Sequence, residues 1–259
     1  MKPVKPITAL FWLLGFKLLS MAINDTINYL FDDTPHLLSP FVNRWMSESV
    51  RFVTFVETYR DKIRKKIRIT RDADGFQDLQ AELETAYLLL REPRFDLTYE
   101  PYGRGGMRGP DFAVTFRTHT TFNVEVTRMR MALQEIDPGQ AGYRLGDIIC
   151  SKLGQMPAGM MNLLVIMADS QAICELDVAS ALKRLKLRAE QKDPRLYQRH
   201  RFRNPADFFK YYQRLSGLLV RSAGDDPPGK CPLLWLNSQA KHSLPRPICH
   251  SLERLDGSS

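Results

Sequence analysis

The sequence predicts an α/β fold whose core runs in the order helix, three strands, helix, strand. Apolar residues recur every three or four positions from about Gly75 to Arg91, which is the pattern of an amphipathic helix. Three later segments alternate apolar and polar residues, as strands with one buried face do. An almost continuous apolar run at Asn162–Ala168 is typical of a strand buried on both faces.

The core is predicted over residues 75–180. Its first helix ends before Pro93, because proline cannot continue a helix. A Gly-rich loop at Tyr102–Gly109 lacks the G-x-G-x-x-G and Walker A spacings and is not predicted to hold phosphate. Pro138 indicates a loop before a helix at about Leu145–Met156. The three alternating strands are predicted at Phe95–Tyr99, Asp111–Phe116 and Thr121–Thr127.

Added helices are predicted on both sides of this core. In the N-terminal region, residues 1–74, a single amphipathic helix is predicted at Phe41–Ile69, with a basic end that suits the helix dipole. The C-terminal region, residues 181–259, is predicted to be helical and basic and to pack on the core. Its most basic part, Ala181–Arg221, carries twelve Lys or Arg against three Asp or Glu.

Two prolines and two short apolar segments organise the C-terminal region. Pro194 and Pro205 are expected to divide Ala181–Arg221 into separate helices. Leu233–Leu236 is predicted as a last strand, and a short helix is predicted around Ile248–Leu255.

The composition describes a basic globular protein. A hydrophobic content of 44% and a charged content of 25% exclude a disordered, collagenous or coiled-coil chain. The net charge of +8 favours nucleic acid or an anionic membrane surface as a partner. The four cysteines form no C-x-x-C pair, so they are expected to be reduced thiols in the cytoplasm rather than zinc ligands.

The apolar N-terminus allows three interpretations. Ile7–Ile23 is interrupted by Lys17 and is shorter than the ~20 apolar residues of a spanning helix, so no stable membrane span is expected. It is a buried helix, an extension before a true start at Met21, or a signal peptide cleaved near Ser20-Met21-Ala22. The first two interpretations are favoured and give a cytoplasmic protein; residues 1–23 leave secretion or membrane association open.

Two acidic residues are predicted to meet on the central hairpin. If the apolar residues of both strands share one face, Phe112 lies opposite Val124 and Val114 lies opposite Phe122. The same register brings Asp111 across from Glu125. Opposed Cβ atoms are about 4.5–5.5 Å apart. Carboxylates so close repel each other unless a cation lies between them, and a hard divalent cation suits them.

The residues around this pair resemble a known motif. Gly109-Pro110-Asp111-Phe112, followed on the next strand by Asn123-Val124-Glu125-Val126-Thr127, is similar to the PD-(D/E)XK motif of restriction-endonuclease-like nucleases. The predicted order of elements is also similar to the core of that superfamily. The resemblance covers residues 75–169 and implies a restriction-endonuclease-like core.

This resemblance implies hydrolysis of phosphodiester bonds that depends on Mg²⁺ or Mn²⁺, with DNA preferred to RNA. Asp111 and Glu125 would hold the metal with the main-chain carbonyl of Val126. In such proteins a glutamate of the preceding helix often completes the site, and Glu82 and Glu84 are the candidates. Glu82 is preferred because it falls nearer the buried stripe of its helix.

The chain departs from the motif at its third position, where Thr127 stands in place of lysine. Threonine cannot supply the positive charge that stabilises a transition state. Some family members take the lysine from the following helix, where this chain has Lys152. The departure keeps a second hypothesis open, a non-catalytic nucleic-acid-binding or assembly module with the same fold. The apolar N-terminus and the basic helices give a third hypothesis, a basic protein of the membrane surface.

The basic C-terminal segment offers a candidate nucleic-acid interface. Arg199, Arg201 and Arg203 are candidate phosphate partners, and a homodimer is a further expectation because restriction-like cores often act as dimers. The alternative is a solvated helical face whose aromatic residues pack on the core. The residues expected in that core are Phe208, Phe209, Tyr212 and Leu215.

Overall fold

The computed structural model describes residues 20–103, 109–130, 138–168, 178–222 and 233–255, with only the backbone of residues 138–141. The chain forms two compact units, of which the first ends at Tyr87 and the second begins at Leu88. Predictions for residues 1–19, for the middle of the Gly-rich loop and for Cys174 and Cys231 lie outside the described residues.

The first unit is helical. Residues 20–31 are helical (α1), and they are followed by α2 (Ser39–Glu48), α3 (Val50–Ile69) and α4 (Ala73–Arg91), whose last turn belongs to the second unit. The rings of Trp45, Phe52 and Tyr87 lie 5.8 to 5.9 Å from one another in this unit. These aromatic contacts form much of its apolar core.

The prediction of one helix at Phe41–Ile69 is wrong, because the chain breaks at Ser49. Ser49 has an extended backbone, with φ −142° and ψ 108°, and its side chain accepts a hydrogen bond from the amide of Phe52 at 3.2 Å. Serine is a favoured N-cap because it satisfies an amide that the helix itself leaves without a partner. The apolar periodicity continues through the break, so periodicity alone could not show it.

The second unit is built on a mixed sheet of six described strands, which confirms the α/β class. The strands lie side by side in chain order. The first three run antiparallel, the third, fourth and fifth run parallel, and the sixth is antiparallel to the fifth. They are β1 (Phe95–Tyr99), β2 (Phe112–Phe116), β3 (Thr120–Met129), β4 (Met161–Ala168), β5 (Gly217–Ser222) and β6 (Leu233–Leu236).

The predicted hairpin register is confirmed. Phe112 pairs with Val124, and Val114 pairs with Phe122. All four side chains are fully buried. A shift by one residue would turn these side chains to the opposite face, so the apolar alternation fixes the register.

Five helices are described in the second unit besides the end of α4. The prediction of a loop at Pro138 is wrong, because a helix begins at that residue; proline is well tolerated in the first turn. Pro194 and Pro205 begin separate helices, as predicted. The helices are α5 (Pro138–Leu153), α6 (Val178–Glu190), α7 (Pro194–His200), α8 (Pro205–Tyr212) and α9 (Arg246–Glu253).

The end of the basic segment is a strand rather than the predicted helix. Gly217–Ser222 forms β5, which pairs in parallel with β4 and antiparallel with β6. Leu218, Leu219 and Val220 are all buried, as expected for a strand covered on both faces. The C-terminal region therefore supplies two strands of the sheet as well as helices.

Helices α5 to α8 form a layer over one face of this sheet. Leu164 of β4 and Leu218 of β5 are neighbours in register, and both belong to an apolar cluster with residues of these four helices. Ile149 and Leu153 of α5 are completely buried in the cluster. The helix layer therefore excludes water from that face of β4 and β5.

No helix in the described part of the chain combines the length and the apolar character needed to cross a membrane.

Replacing the cap of α3 should destabilise the first unit. We expect Ser49→Ala to lower the free energy of unfolding by about 1 kcal/mol, because the amide of Phe52 loses its partner. Ser47→Ala is the matched control, since Ser47 is exposed and its hydroxyl only donates to the carbonyl of Arg44. Urea unfolding of both variants measures the difference, and equal midpoints would contradict this role of Ser49.

Candidate functional site

Asp111 lies immediately before β2 and binds the main chain of β3. Its Oδ2 accepts a hydrogen bond from the amide of Val126 at 2.7 Å. Because Phe112 pairs with Val124, the same register carried one step further brings Asp111 and Glu125 to the same rung of the hairpin. β2 does not extend as far as Val126, so the Asp111 carboxylate accepts the hydrogen bond that a backbone carbonyl of a paired strand would otherwise accept.

Glu125 is a buried carboxylate with a lysine partner. Its side chain is 3% exposed, and Nζ of Lys152 donates a hydrogen bond to its Oε1 at 2.6 Å. Lys152 lies in the last turn of α5 and keeps 23% of its side chain exposed. Lys152, the residue predicted to substitute for a lysine at Thr127, therefore contacts Glu125.

The burial of Glu125 follows from its strand position. Glu125 pairs with Leu164, whose side chain belongs to the cluster under α5 to α8. A charge on this face must be paired, because an isolated ion in an apolar layer costs several kcal/mol. Thr127, two residues further along the strand, is only partly buried, so the polar row opens toward solvent there.

A second polar group continues the row in the other direction. Asn123 is 1% exposed, and its Nδ2 donates to Oδ1 of Asn162 on β4 at 3.0 Å. The hydroxyl of Tyr102 donates to Oδ1 of Asn123 at 3.3 Å. Tyr102 is not among the site residues that the sequence predicts. An asparagine at the start of the buried run Asn162–Ala168 was the one local sign of a buried network.

The two helix glutamates lie in the first unit. Glu82 is 8% exposed and forms an ion pair with Nζ of Lys66 at 2.6 Å, whereas Glu84 is partly exposed. The prediction that Glu82 lies nearer the buried stripe is confirmed. A metal-binding role for either residue stays a prediction.

The described residues contain no group of three or more His, Cys, Asp or Glu side chains that could hold a metal ion. Such a group is not required for magnesium, which is commonly bound by one or two carboxylates and keeps several waters. Asp111, Glu125 and the carbonyl of Val126 are hard oxygen donors of that type. The donor set therefore fits Mg²⁺ or Mn²⁺ better than a softer metal.

The three candidate phosphate partners are exposed on and after α7. Nη1 of Arg199 donates to Oδ2 of Asp147 at 2.6 Å, although 68% of the arginine side chain is exposed. Arg201 has a left-handed backbone at the end of α7, with φ 58°. The main-chain amide of Arg203 donates to Asp207, and its side chain is exposed.

The aromatic residues of the same segment serve the core. Phe208, Tyr212 and Leu215 are completely buried, and Phe209 is partly buried against the same cluster, as the alternative interpretation predicted. Buried rings cannot stack on nucleic-acid bases. Stacking of bases on Phe208 and Tyr212 is therefore excluded, and the exposed arginines are the segment's candidate contacts to nucleic acid.

Three other titratable side chains bear on the chemistry. Burial raises the pKa of the Cys150 thiol far above its ordinary value, so this thiol is not a nucleophile at neutral pH. Burial lowers the pKa of His200, and the neighbouring carboxylate of Asp147 opposes the shift. His119 is exposed in the turn between β2 and β3, where its ring contacts the hydroxyl of Thr118.

Breaking the Glu125–Lys152 pair should be costly unless both charges are removed. We expect Lys152→Met to lower the free energy of unfolding by about 2 kcal/mol, because Glu125 stays buried without its lysine. The partial exposure of Lys152 keeps the cost below that of a fully buried pair.

The double variant Glu125→Gln with Lys152→Met should recover much of this loss, since no buried charge remains. Denaturant unfolding of the two single variants and the double variant gives the coupling free energy. Strictly additive effects would show that the two side chains do not stabilise each other.

No family model, curated protein or solved structure matches this chain. Three features of the second unit bear on its function: two carboxylates at one end of a hairpin, a lysine on the buried carboxylate, and exposed arginines on and after α7.

Proposed function

We propose that this chain is a metal-dependent nuclease with a restriction-endonuclease-like core, and that it hydrolyses phosphodiester bonds of DNA in preference to RNA. One observation carries the proposal: Nζ of Lys152 lies 2.6 Å from Oε1 of Glu125, although the motif itself has Thr127 where lysine is usual. A carboxylate pair with an adjacent lysine is the set of side chains that the motif requires, with the lysine coming from the next helix.

Asp111 and Glu125 would hold the metal together with the main-chain carbonyl of Val126. The hydrogen bond from the amide of Val126 fixes the orientation of the Asp111 carboxylate, and Lys152 fixes that of Glu125. Oriented carboxylates lose little entropy when they bind an ion or a substrate. A bound Mg²⁺ or Mn²⁺ would polarise the phosphate and acidify a water.

Lys152 would supply positive charge where the reaction develops negative charge. Its ammonium group lies on the buried carboxylate, and 23% of its side chain is exposed. A fixed cation in such a poorly solvated place stabilises a transition state more strongly than the same cation in water. Thr127 lacks this charge and would at most donate a hydrogen bond.

Cleavage of DNA by the pure protein tests this proposal. We expect nicking or cutting of plasmid DNA with Mg²⁺ or Mn²⁺ and none with EDTA. Asp111→Asn, Glu125→Gln and Lys152→Met should each lower the rate by at least about 100-fold, the usual effect of removing one group that stabilises the transition state. Lys241→Met is the matched control, because Lys241 is an exposed lysine of a loop far along the chain.

The thermal midpoint of each variant must be measured alongside, so that loss of activity is separated from loss of fold. Absence of cleavage of duplex DNA, single-stranded DNA and RNA by folded wild-type protein with either metal would refute the nuclease proposal. An unchanged rate in Lys152→Met would refute the role of this lysine.

A non-catalytic nucleic-acid-binding module is the second candidate, and one observation favours it. Asp111 and Glu125 each already have a partner, the amide of Val126 and the ammonium of Lys152, so the fold can use both carboxylates without a metal. In that case the protein binds DNA through its basic surface and does not cleave it.

For either candidate, the exposed arginines of α7 and its C-terminal end are the proposed phosphate contacts. Each phosphate contact lowers the slope of log binding constant against log salt by about 0.9 for duplex DNA. We therefore expect this slope to be less negative by about 2 to 3 in the triple variant Arg199→Gln, Arg201→Gln, Arg203→Gln. Fluorescence anisotropy in EDTA at several salt concentrations measures it, with Lys241→Gln as control, and an unchanged slope would exclude this surface.

A further inference from the structure

We infer that Tyr102 is a positioning residue that holds Asp111 in register with Glu125. The catalytic part of this inference rests on the proposed function, whereas its structural part does not. Neither the motif nor its spacing includes Tyr102, which lies on the segment between β1 and β2. The inference depends on two contacts of this side chain, one through its ring and one through its hydroxyl.

The ring of Tyr102 packs against the chain that leads to Asp111. A Cβ atom added to Gly109 would lie 2.6 Å from Cβ and 2.8 Å from Cγ of Tyr102. Non-bonded carbon atoms in proteins do not approach each other so closely. Gly109 is therefore needed for this contact. Pro110, the next residue, is buried, and Asp111 follows it. The ring thus fixes the backbone two residues before the carboxylate.

The hydroxyl of Tyr102 is held by the strand that carries Glu125. It donates to Oδ1 of Asn123, which lies two residues before Glu125 and so on the same face of β3. Asn123 is itself fixed, because its Nδ2 donates to Asn162, and Asn162 donates to main-chain carbonyls. The acceptor for the hydroxyl is therefore part of a rigid buried network.

These two contacts join the two halves of the proposed site. The ring acts on the segment that enters β2, and the hydroxyl connects that segment to β3. The hydrogen bond from the amide of Val126 to Oδ2 of Asp111 depends on the same alignment. The amide of Val126 is therefore a local reporter of how firmly Asp111 is held.

A purely structural role makes a different prediction. If the hydroxyl only satisfies Asn123, its removal lowers the stability of the whole unit, and all amides of β3 then exchange faster by a common factor. If Tyr102 positions Asp111, the amide of Val126 exchanges faster than its neighbours do. Comparing Val126 with Val124 separates the two roles.

Hydrogen exchange of the metal-free protein, followed by NMR, is the first experiment. In Tyr102→Phe we expect the amide of Val126 to exchange roughly three- to tenfold faster relative to Val124, as for the loss of one neutral hydrogen bond. Gly109→Ala, which must displace the ring, should have the same effect. Tyr143→Phe is the matched control, because Tyr143 is 53% exposed on α5. An unchanged ratio in both variants overturns the inference.

Kinetics with DNA is the second experiment. A positioning role predicts that Tyr102→Phe lowers kcat and raises the Mg²⁺ concentration at half activity, while KM for DNA stays within about twofold. Wild-type protein without cleavage would refute the nuclease proposal and leave the exchange result to decide the structural part. Wild-type cleavage with unchanged kcat and Mg²⁺ dependence in Tyr102→Phe would refute the positioning role alone.

Discussion

A buried carboxylate, Glu125, is the constraint on which the site depends. It lies on the sheet face that α5 to α8 cover, in register with a leucine of the next strand. An apolar side chain at this position would avoid the cost of removing a charge from water. The charge is compatible with the fold because Lys152 reaches it from the last turn of α5, where a cation also suits the helix dipole. The proposed function rests on the retention of this charge pair, because an apolar pair of similar size would not carry that cost.

The alternation of apolar and polar residues along β2 and β3 determines where the side chains of Asp111 and Glu125 lie. Because side chains of a strand point to alternate faces, the buried aromatic and aliphatic residues of β2 and β3 fix which face Glu125 occupies. Asp111 lies just outside β2, so its carboxylate can bond to the amide of Val126 that has no partner strand there. Asp111 thus lies at the end of β2, and Glu125 lies within β3. Tyr102 and Asn123 tie the two segments together.

The basic C-terminal region contributes side chains both to the apolar core and to the exposed surface. Phe208 and Tyr212 complete the core under the sheet, and Arg199, Arg201 and Arg203 remain at the surface. Of the three arginines on and after α7, Arg199 has a side-chain ion pair, with Asp147, and still exposes most of its side chain. The positive charge is therefore presented by helices that the core already holds in place.

The sequence by itself determined the local elements: helix α4, strands β1 to β4 and the register of Phe112 with Val124, since each depends on a periodicity within one segment. It missed the break at Ser49, which a capping side chain decides, and strand β5, whose apolar run fits a buried helix as well as a strand. Only the tertiary structure decided that Lys152 contacts Glu125, 27 residues away in sequence, and that Tyr102 contacts Asn123, 21 residues away. Those contacts depend on how α5 and the segment before β2 pack on the sheet, and no pattern within a single segment encodes that packing.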